Sequence, residues 1–404
     1  MDYPVVLERC NEGGWTARCP VLPGCISEGD TRDKALANIQ DAIRLYLRAV
    51  RKEMTLLRQK GKRIVSANAV YTAYKTRKIF ASSEGALIEQ EIIECGAGAV
   101  ATAAANGIVQ SRSYPNSHRG DFVTGGWEHI EAMKLADHVE EVRDEAEQLL
   151  DAPDLPEGTY DLILWGPQLS LQIHESCGHP IELDRVLGTE AAFAGMSFLT
   201  TDKLGSFRYG SPLVNMTADA TIPGGLGTFG FDDEGVPAQS TPIVRDGLFL
   251  GYLTSRETAA AMGQRSNGAM RASGWNRIPL IRMTNVSLEP GEWTLADMIA
   301  DTDDGVYMET NRSWSIDDKR LNFQFGTEIG REIKHGKLGD LIKNPTYTGI
   351  TPRFWGSCDA IANRGEWVVW GTPNCGKGQP EQVAHTGHGA SAARFRNVQV
   401  GVMK

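Results

Sequence analysis

The spacing of hydrophobic and polar residues predicts a small βββα unit in residues 2–52. Three short segments read as strands separated by turns, PVVLER, WTARCP and CISEG. The next segment repeats its apolar residues at helical spacing, and Asp30 or Thr31 can cap its start. The apolar stripe of this helix consists of Ala35, Ile39, Ala42, Ile43, Leu45, Tyr46 and Val50.

Longer alternating segments follow in residues 59–155. VYTAYKTRKIF predicts a strand after a basic connector, and SSEGALIEQEIIECGAGAVATAAANGIVQSRSY predicts antiparallel strands joined by turns of small residues. A helix is predicted over residues 127–150, because apolar residues recur there near helical spacing. The proline-broken segment DAPDLPEGTYD then predicts a domain boundary.

Residues 156–404 form the third predicted domain, after domains at 1–58 and 59–155. DLILWG is a predicted strand that leads into a helix, and glycine-rich alternating segments come next. Asp246-Gly247 and His335-Gly336 predict hairpin turns, and residues 295–301 predict a short helix. The pattern indicates an α+β protein whose last domain is mainly antiparallel, since no βαβ series is present.

Composition narrows the class of protein. The chain has 404 residues, of which 41% are hydrophobic and 23% are charged, as in globular proteins. No apolar run approaches the roughly 20 residues of a membrane span, and the N-terminus lacks the pattern of a secretory signal. Seven scattered cysteines fit a reducing compartment. We therefore expect a cytoplasmic protein without a membrane segment.

Charge is distributed unevenly along the chain. Residues 1–80 contain 15 Lys/Arg and 8 Asp/Glu, a net charge of +7, so the remainder carries −17 of the total of −10. A basic region could contact RNA or another acidic partner. Charge runs are more often the solvated face of a helix, so we do not expect RNA binding. Three cysteines in this region, Cys10, Cys19 and Cys25, lack the close pairing of a metal site and are expected to be core thiols.

The strongest chemical signal is LQIHESCGHPIELD at residues 171–184, where His174, Glu175 and His179 form an HExxxH pattern. Neutral imidazoles bind zinc well, and a carboxylate beside a bound water can take its proton. Histidines five residues apart lie about 140° apart on a regular helix. The pattern therefore predicts either a π-bulge or a helix that ends near Gly178, where Pro180 follows.

A catalytic zinc needs a third protein ligand and an open position. Spacing alone cannot choose among ligands that are far apart in the chain. The candidates are Cys375, His335, His385, His388, Glu182 and Asp184. His385 and His388 could instead form a second metal pair or contact substrate, although a surface loop is the simpler interpretation.

The segment HESCGHPIELD resembles the metal-binding motif of the TldD/PmbA metallopeptidases, in the TldD branch. The resemblance continues through FDDEGVPAQSTPIVRDGLFLGYLTS, SNGAMRASGWNRIPLIRMTNVSLEPG and TPNCGKGQPEQ, in the order of the family, and spans residues 80–404. Complete members carry further N-terminal residues before this region. A different unit stands in their place here.

That N-terminal unit resembles the HicB family of antitoxin-like domains along ERCNEGGWTARCPVLPGCISEGDTRDKALANIQDAIRLYLRA. The resemblance implies a domain that packs against an RNA-cleaving, HicA-like toxin. The chain is thus expected to join a HicB-like unit of residues 1–52 to a partial TldD-like N-terminal domain and a TldD-like metallopeptidase domain.

The TldD resemblance implies Cys375 as the third zinc ligand and Glu175 as the general base of peptide hydrolysis. It also implies a chamber enclosed by a dimer, either a homodimer or a pair with a PmbA-like subunit, that admits unfolded peptides. Arg271 and Arg282 lie in matching segments and could hold a substrate carbonyl or carboxylate, or could be structural. The alternative function is a non-catalytic partner-binding protein, in which the HicB-like unit sits on an inactive peptidase scaffold.

Overall fold

The structure is a computed structural model that describes residues 3–10, 13–20, 25–58, 61–117 and 119–401, without the side chains of residues 45, 46 and 48–58. It has the predicted α+β fold class, with strands predominating. The boundaries at residues 58 and 155 stay predictions. Within these ranges, every helix is too short or too polar to span a membrane.

The N-terminal unit has the predicted βββα order. Three strands form an antiparallel sheet in the order β1-β2-β3, and a long helix covers one face of the sheet. The core contains Ala17, Cys19 and Cys25 from the sheet side and Ala35 and Ile39 from the helix, all buried. Cys19 and Cys25 are thus core thiols, as expected, whereas Cys10 is partly buried and lies outside this core, 3.0 Å from the Thr16 hydroxyl. Three predicted stripe residues, Leu45, Tyr46 and Val50, lie outside the described side chains. The elements are β1 Val6–Arg9, β2 Trp15–Arg18, β3 Ile26–Gly29 and α1 Arg32–Arg58.

A second sheet follows, built on a hairpin of two very long strands. Its order is β4-β5-β6, and β7 pairs with another part of β5. Alternate alanines along β5 present a flat surface on which Val139, Val142 and Ala146 of α3 pack. Helix α1 also lies against α3 and β4. The elements are β4 Ile64–Ala81, β5 Leu87–Ala105, β6 Ile108–Tyr114, β7 Asp121–Thr124, α2 Trp127–Ala132 and α3 Leu135–Gln148.

The single helix predicted over residues 127–150 is wrong, because the chain forms two helices there. Lys134 has φ +47°, a left-handed conformation that interrupts the helix between α2 and α3. The change of direction lets Ile130, Met133 and Leu135 all pack in the cluster around Tyr71. Tertiary packing has overridden a helical pattern that is continuous in the sequence.

The remaining chain forms two larger sheets around one hydrophobic core. The first has the order β11-β10-β9-β14-β21-β20, and the second has the order β15-β8-β22-β18-β16-β17. An additional β15–β16 pairing closes five strands of the second sheet into a ring, and β19 pairs with β22. The pairs β8–β15 and β14–β21 are parallel and the others are antiparallel, so the mainly antiparallel prediction is confirmed.

The strands of these sheets are β8 Gly158–Leu164, β9 Met216–Asp219, β10 Ser240–Arg245, β11 Leu248–Phe249, β14 Asn285–Leu288, β15 Asp304–Ile316, β16 Asn322–Lys334, β17 Lys337–Lys343, β18 Thr346–Ile350, β19 Cys358–Ile361, β20 Val368–Lys377, β21 Gln382–Ala390 and β22 Ala393–Val400. A separate two-stranded pair consists of β12 Met270–Arg271 and β13 Leu280–Ile281. The helices are α4 Gly166–Ile173, α5 Leu183–Val186, α6 Arg256–Ala261, α7 Leu295–Ala300 and α8 Thr351–Gly356.

Both predicted hairpin turns are confirmed. Asp246 and Gly247 connect β10 to β11 with φ of +48° and +74°, and His335 and Gly336 connect β16 to β17 with φ of +50° and +73°. Two consecutive residues with positive φ are the signature of a type I′ turn, whose twist matches that of the flanking strands. The predicted short helix near residue 295 is α7.

Helix α4 is buried along its whole length and runs directly into the HExxxH segment. It packs against β14, β15, β20 and β21, so it lies between the two larger sheets. Every residue from 166 to 186 is buried. The motif is therefore held by the core of the molecule and is not part of a surface loop.

A buried ion cluster centred on Arg112 of β6 joins the sheet of β4–β7 to the larger sheet that contains β15 and β16. The Arg112 guanidinium donates from Nε to Glu145 at 2.7 Å and from Nη2 to Glu309 at 2.8 Å, and Nη1 lies 3.8 Å from Glu328. Glu328 also accepts hydrogen bonds from the backbone N–H and hydroxyl of Ser113 at 2.7 Å. Three acids thus share one buried cation.

We expect Arg112→Met to destabilise the protein, more strongly at pH 8 than at pH 5. Removing one partner of a buried ion pair costs about 3–5 kcal/mol. Burial raises the pKa of Glu328 from 4.5 to about 7, so the folded protein holds more protons than the unfolded chain between these values. The stability of the wild type should therefore fall as pH rises through that window. In the variant, Glu328 can protonate at pH 5 but stays charged without its Arg112 partner at pH 8, while Glu145 keeps its contact with Arg331.

Urea unfolding of wild type and variant at both pH values measures this difference. The control is Arg77→Met, which removes a solvent-exposed pair with Glu89 and should leave the stability close to that of the wild type at both pH values. Equal destabilisation by Arg112→Met at pH 5 and pH 8 would contradict the prediction.

Candidate metal centre

Three predicted ligands meet in the core. The ligand atoms of His174, His179 and Cys375 all lie within 4.8 Å of one another. The residues are 4%, 5% and 3% exposed, so the site is enclosed by protein. In the described part of the chain, this is the one group of three or more histidines, cysteines or acids placed closely enough to share a metal ion.

A π-helical turn at His174–Gly178 brings the two histidines together, which is the first of the two predicted alternatives. The backbone N–H of His179 donates to the carbonyl of His174, a hydrogen bond across five residues. The wider turn places the two imidazoles 4.9 Å apart between ring centres, with an interplanar angle of 89°. The five-residue spacing of the sequence is thus compatible with one shared site.

The surroundings of the π-turn stabilise it. A Cβ atom on Gly178 would lie 2.0 Å from Sδ of Met283, so any larger residue would force the buried Met283 side chain to move. The Tyr209 hydroxyl donates to the carbonyl of Ser176 at 3.0 Å, and the Trp355 indole N–H donates to the Ser176 hydroxyl at 2.9 Å. Backbone and side-chain polar groups of the turn therefore have buried partners.

His388 determines which nitrogen of His174 faces the metal site. Nδ1 of His388 lies 2.9 Å from the carbonyl of Val286, which can only accept, so this nitrogen carries the proton. Burial, with a further contribution from His174, lowers the pKa of His388 well below its ordinary value, so the ring is neutral. Its Nε2 must then accept from Nδ1–H of His174 at 2.7 Å. The lone pair of His174 is left on Nε2, toward the site.

Glu182 has the same effect on His179. One carboxylate oxygen lies 2.9 Å from Nδ1 of His179, and the residue is fully buried. Burial alone would raise the pKa of Glu182, but Lys377 and His179 lower it far below its usual range. Nδ1 of His179 thus donates to a carboxylate, and Nε2 is directed to Cys375, whose sulfur lies 3.8 Å away. Lys377 also binds Asp184 at 2.7 Å.

Cys375 reaches the site from the edge strand β20. Burial would raise the pKa of its thiol, but His174, Arg282 and His179 lower it well below the ordinary value. Arg282 is itself buried and donates to the backbone carbonyl of Cys375, and its other Nη donates to the carbonyl of Gln382 at 3.1 Å. The cation therefore favours the thiolate form, which is the form that binds metals.

Glu175 lies beside this cluster with Arg320 as its partner. Nη1 of Arg320 donates to one oxygen of the carboxylate. Burial would raise the pKa of Glu175, but Arg320, His174 and His179 outweigh it and lower the pKa below its ordinary value. Glu175 is therefore an ionised carboxylate next to the candidate ligands.

The donor set fits zinc. Two imidazoles and one thiolate are the three-ligand type that leaves a fourth position for water. Burial would lower the pKa of His179, but Cys375 and Glu182 outweigh it and raise this pKa to about 9, so zinc binding would displace a proton from Nε2 of this ring. Each histidine has a hydrogen-bonded partner behind it, as metal-binding histidines almost always do. Carboxylate-preferring ions such as Mg²⁺ or Ca²⁺ are disfavoured by this set.

The other residues that the sequence offered as a third ligand lie outside the group of His174, His179 and Cys375. His335 is exposed and pairs with Asp303 in its hairpin turn. His385 binds Glu94 at 2.9 Å, whereas His388 binds His174, so the two histidines face different sites. Glu182 and Asp184 pair with the buried Lys377.

Arg271 and Arg282 both donate to backbone carbonyls. Arg271 donates to the carbonyls of His385 and Met283, and burial followed by Arg282 lowers its pKa to about 10. Arg282 connects Cys375 to Gln382. These contacts favour a role in positioning, and substrate binding by either arginine stays a prediction.

Sequence reasoning missed Arg320 and the roles of Glu182 and His388. His388 and Glu182 stood among the ligand candidates, but their contacts depend on strands that meet only in the fold. Arg320 lies 145 residues from Glu175, in a turn without a recognisable motif.

Two family models match the chain. The model described as the PmbA/TldA metallopeptidase C-terminal domain matches residues 157–402, more than half of the chain. The model described as the HicB-like antitoxin of bacterial toxin-antitoxin systems matches residues 3–74. The first match includes all three candidate ligands and Glu175.

Individual proteins agree with the family match. A metalloprotease of Methanocaldococcus jannaschii is 33% identical over 315 residues, which cover 78% of this chain and 66% of the relative. A metalloprotease of Synechocystis is 30% identical over 347 residues, which cover 86% and 71%. The alignments thus span about two thirds of these relatives. The crystal structure of TldE from Thermococcus kodakarensis has the same fold, with a TM-score of 0.65 at 15% identity over 96% of this chain and 90% of that chain.

We expect the purified chain to contain about one zinc ion, and Cys375→Ala and His174→Ala to lose it, because each removes one of three ligands. Elemental analysis beside circular dichroism measures metal content and folding together. The control is Cys177→Ala, a buried cysteine inside the motif that lies outside the ligand group. Zinc retained in Cys375→Ala, or lost in the Cys177→Ala control, would contradict the assignment.

His388→Ala should keep the ligand set but weaken zinc binding about 10–100-fold, the usual effect of removing the partner of a metal-binding histidine. Competition with a chelator measures the affinity. His385→Ala, on the same strand but paired with Glu94, is the matched control and should bind zinc as the wild type does. An unchanged affinity in His388→Ala would show that His174 does not depend on this partner.

Proposed function

The chain belongs to the PmbA/TldD metallopeptidase family, and from this premise we propose that it is a zinc-dependent peptidase that hydrolyses unfolded or small peptides. The observation that carries the proposal is the buried cluster of two histidines and a cysteine with an ionised glutamate beside it. His174, His179 and Cys375 would hold the zinc ion. When bound there, zinc supplies polarisation of the scissile carbonyl and a more acidic water.

Glu175 is the proposed general base. Arg320 occupies one carboxylate oxygen, which leaves the other to accept a proton from the attacking water. The same carboxylate then returns this proton to the departing amine. The depressed pKa of Glu175 keeps the group ionised at neutral pH, as a base requires.

The burial of the site supports peptides as substrates. The candidate ligands are at most 5% exposed, so a folded protein could not bring a peptide bond to them. An extended chain is thinner and could enter. We propose that a dimer, formed with a second copy or with a PmbA-like subunit, encloses the route by which a peptide reaches the site. We also propose that the protein acts in the cytoplasm.

We also propose a partner-binding role for residues 1–58, beside a partial TldD-like domain at 59–155 and the peptidase domain at 156–404. The HicB-like match and the folded βββα unit support a HicA-like toxin as the partner. The second candidate function follows from the same observation: the HicB-like unit could act alone, on a peptidase scaffold that does not cleave.

Glu175→Gln should lower peptide cleavage about 10²–10⁴-fold while zinc content stays at the wild-type level, because only the base is removed. Cleavage of an unfolded peptide by the zinc-loaded protein, measured beside metal content, tests this. Glu234→Gln is the control, since Glu234 lies in the turn at residues 232–235 between β9 and β10, where its carboxylate accepts from the backbone N–H of Arg256.

Cleavage that survives Glu175→Gln would contradict the proposed base. A zinc-loaded wild type that cleaves no peptide but forms a stable complex with a HicA-like toxin would favour the second function.

A further inference from the structure

We propose that Arg320 is a second catalytic residue, whose guanidinium binds the scissile carbonyl oxygen as negative charge develops on it. The inference rests on the proposed peptidase function. It assigns a substrate-contacting role to a residue far from the HExxxH motif. The proposal is supported by the contact of Arg320 with Glu175, by its buried Nε and by the fixed turn from which its side chain projects. The neighbouring cations contact other groups.

Arg320 lies in the turn between β15 and β16, and this turn is fixed from several sides. The carboxylate of Asp317 accepts from the backbone N–H of Leu321 at 2.7 Å, and the backbone N–H of Arg320 donates to the carbonyl of Asp317 at 2.8 Å. The Thr351 hydroxyl donates to the carbonyl of Arg320 at 3.0 Å. Arg185 donates to the carbonyl of Asp318 at 2.9 Å. The side chain of Arg320 therefore projects from a rigid base.

The backbone of Arg320 is in the left-handed region, with φ +62°. A long side chain adopts this conformation at a cost in free energy, and such residues cluster at functional sites. The contacts of the turn hold the conformation in place.

The guanidinium of Arg320 has donors to spare. Nη1 donates to Glu175, and Nε is buried without a hydrogen-bond partner among the described residues. The Nε–Nη2 edge is one of the two edges with which arginine binds an oxyanion. A buried unpaired donor beside the catalytic carboxylate is unfavourable unless a ligand satisfies it.

The other cations near the cluster contact groups other than Glu175. Arg185 donates to Glu190 and to the carbonyls of Met196, Ala194 and Asp318. Arg282 binds the carbonyls of Cys375 and Gln382, and Lys377 binds Glu182 and Asp184. Nε of Arg271 and of Arg282 is also buried without a hydrogen-bond partner among the described residues, but Arg320 is the one of these cations that contacts Glu175.

The reaction balances with Arg320 protonated throughout. The water oxygen forms a bond to the carbonyl carbon, its proton passes to Glu175, and the electron pair of the C=O double bond moves to the carbonyl oxygen. Arg320 donates hydrogen bonds to this oxygen while it carries the charge. The C=O bond then re-forms, the C–N bond breaks, and Glu175 gives its proton to the amine nitrogen.

The test compares wild type, Arg320→Gln and Arg320→Lys, all loaded with zinc. Zinc content, kcat and KM for an unfolded peptide, and the inhibition constant of a phosphinic peptide are measured. A phosphinic peptide carries a tetrahedral, negatively charged centre in place of the scissile bond. The matched control is Lys319→Gln, which removes an exposed cation from the same turn.

We expect Arg320→Gln to keep its zinc, lose about 10²–10³-fold in kcat with little change in KM, and bind the phosphinic peptide more weakly by a similar factor. Arg320→Lys should recover part of both losses, and Lys319→Gln should behave as wild type. If Arg320→Gln fails to fold, Arg320→Lys is compared with the wild type instead. It should bind the phosphinic peptide more weakly than the wild type, and an unchanged affinity would overturn the proposal.

Unchanged kcat in Arg320→Gln would overturn the proposal. A lower kcat with unchanged phosphinic-peptide affinity would also overturn it, because Arg320 would then only position Glu175. A zinc-loaded wild type that cleaves no peptide would instead refute the peptidase function itself, so the two failures are distinguishable.

Discussion

The five-residue separation of His174 and His179 is the constraint on which the candidate site depends. A regular helix would place the two imidazoles about 140° apart. The π-helical turn at residues 174–178 removes this offset, and it persists because the surrounding core is complementary to it. Gly178 leaves space for the side chain of Met283, and Tyr209 and Trp355 donate hydrogen bonds to Ser176. The geometry of the motif is thus determined by residues that lie outside it.

Hydrogen-bonded partners behind the motif prepare its side chains for metal binding. Nδ1–H of His388 donates to the carbonyl of Val286, so Nε2 of His388 accepts from Nδ1–H of His174. Glu182 likewise accepts from Nδ1–H of His179. These partners come from β14, β21 and the end of the motif helix, elements brought together by the sheet order β14-β21-β20. The same sheet delivers Cys375. A disturbance of this sheet would therefore affect all three candidate ligands at once.

Local signals in the sequence were sufficient for some features and insufficient for others. Asp246-Gly247 predicted a hairpin, and the HExxxH spacing predicted either a π-bulge or a helix end near Gly178, since these features depend on residues that are close in the chain. The break at Lys134 was missed because it depends on packing around Tyr71, which is distant in sequence. The roles of His388 and Arg320 were missed for the same reason. The choice of Cys375 came from family resemblance, as spacing carries no information about ligands 200 residues apart.

The most direct test of this account is zinc X-ray absorption spectroscopy of the zinc-loaded wild-type chain. The spectrum reports the number and type of atoms bound to the metal. We expect one sulfur at about 2.3 Å and two imidazole nitrogens at about 2.0–2.1 Å, with a light atom in the remaining position. A first shell without sulfur, or with a single imidazole, would contradict the claim that the π-turn and Cys375 form one metal site.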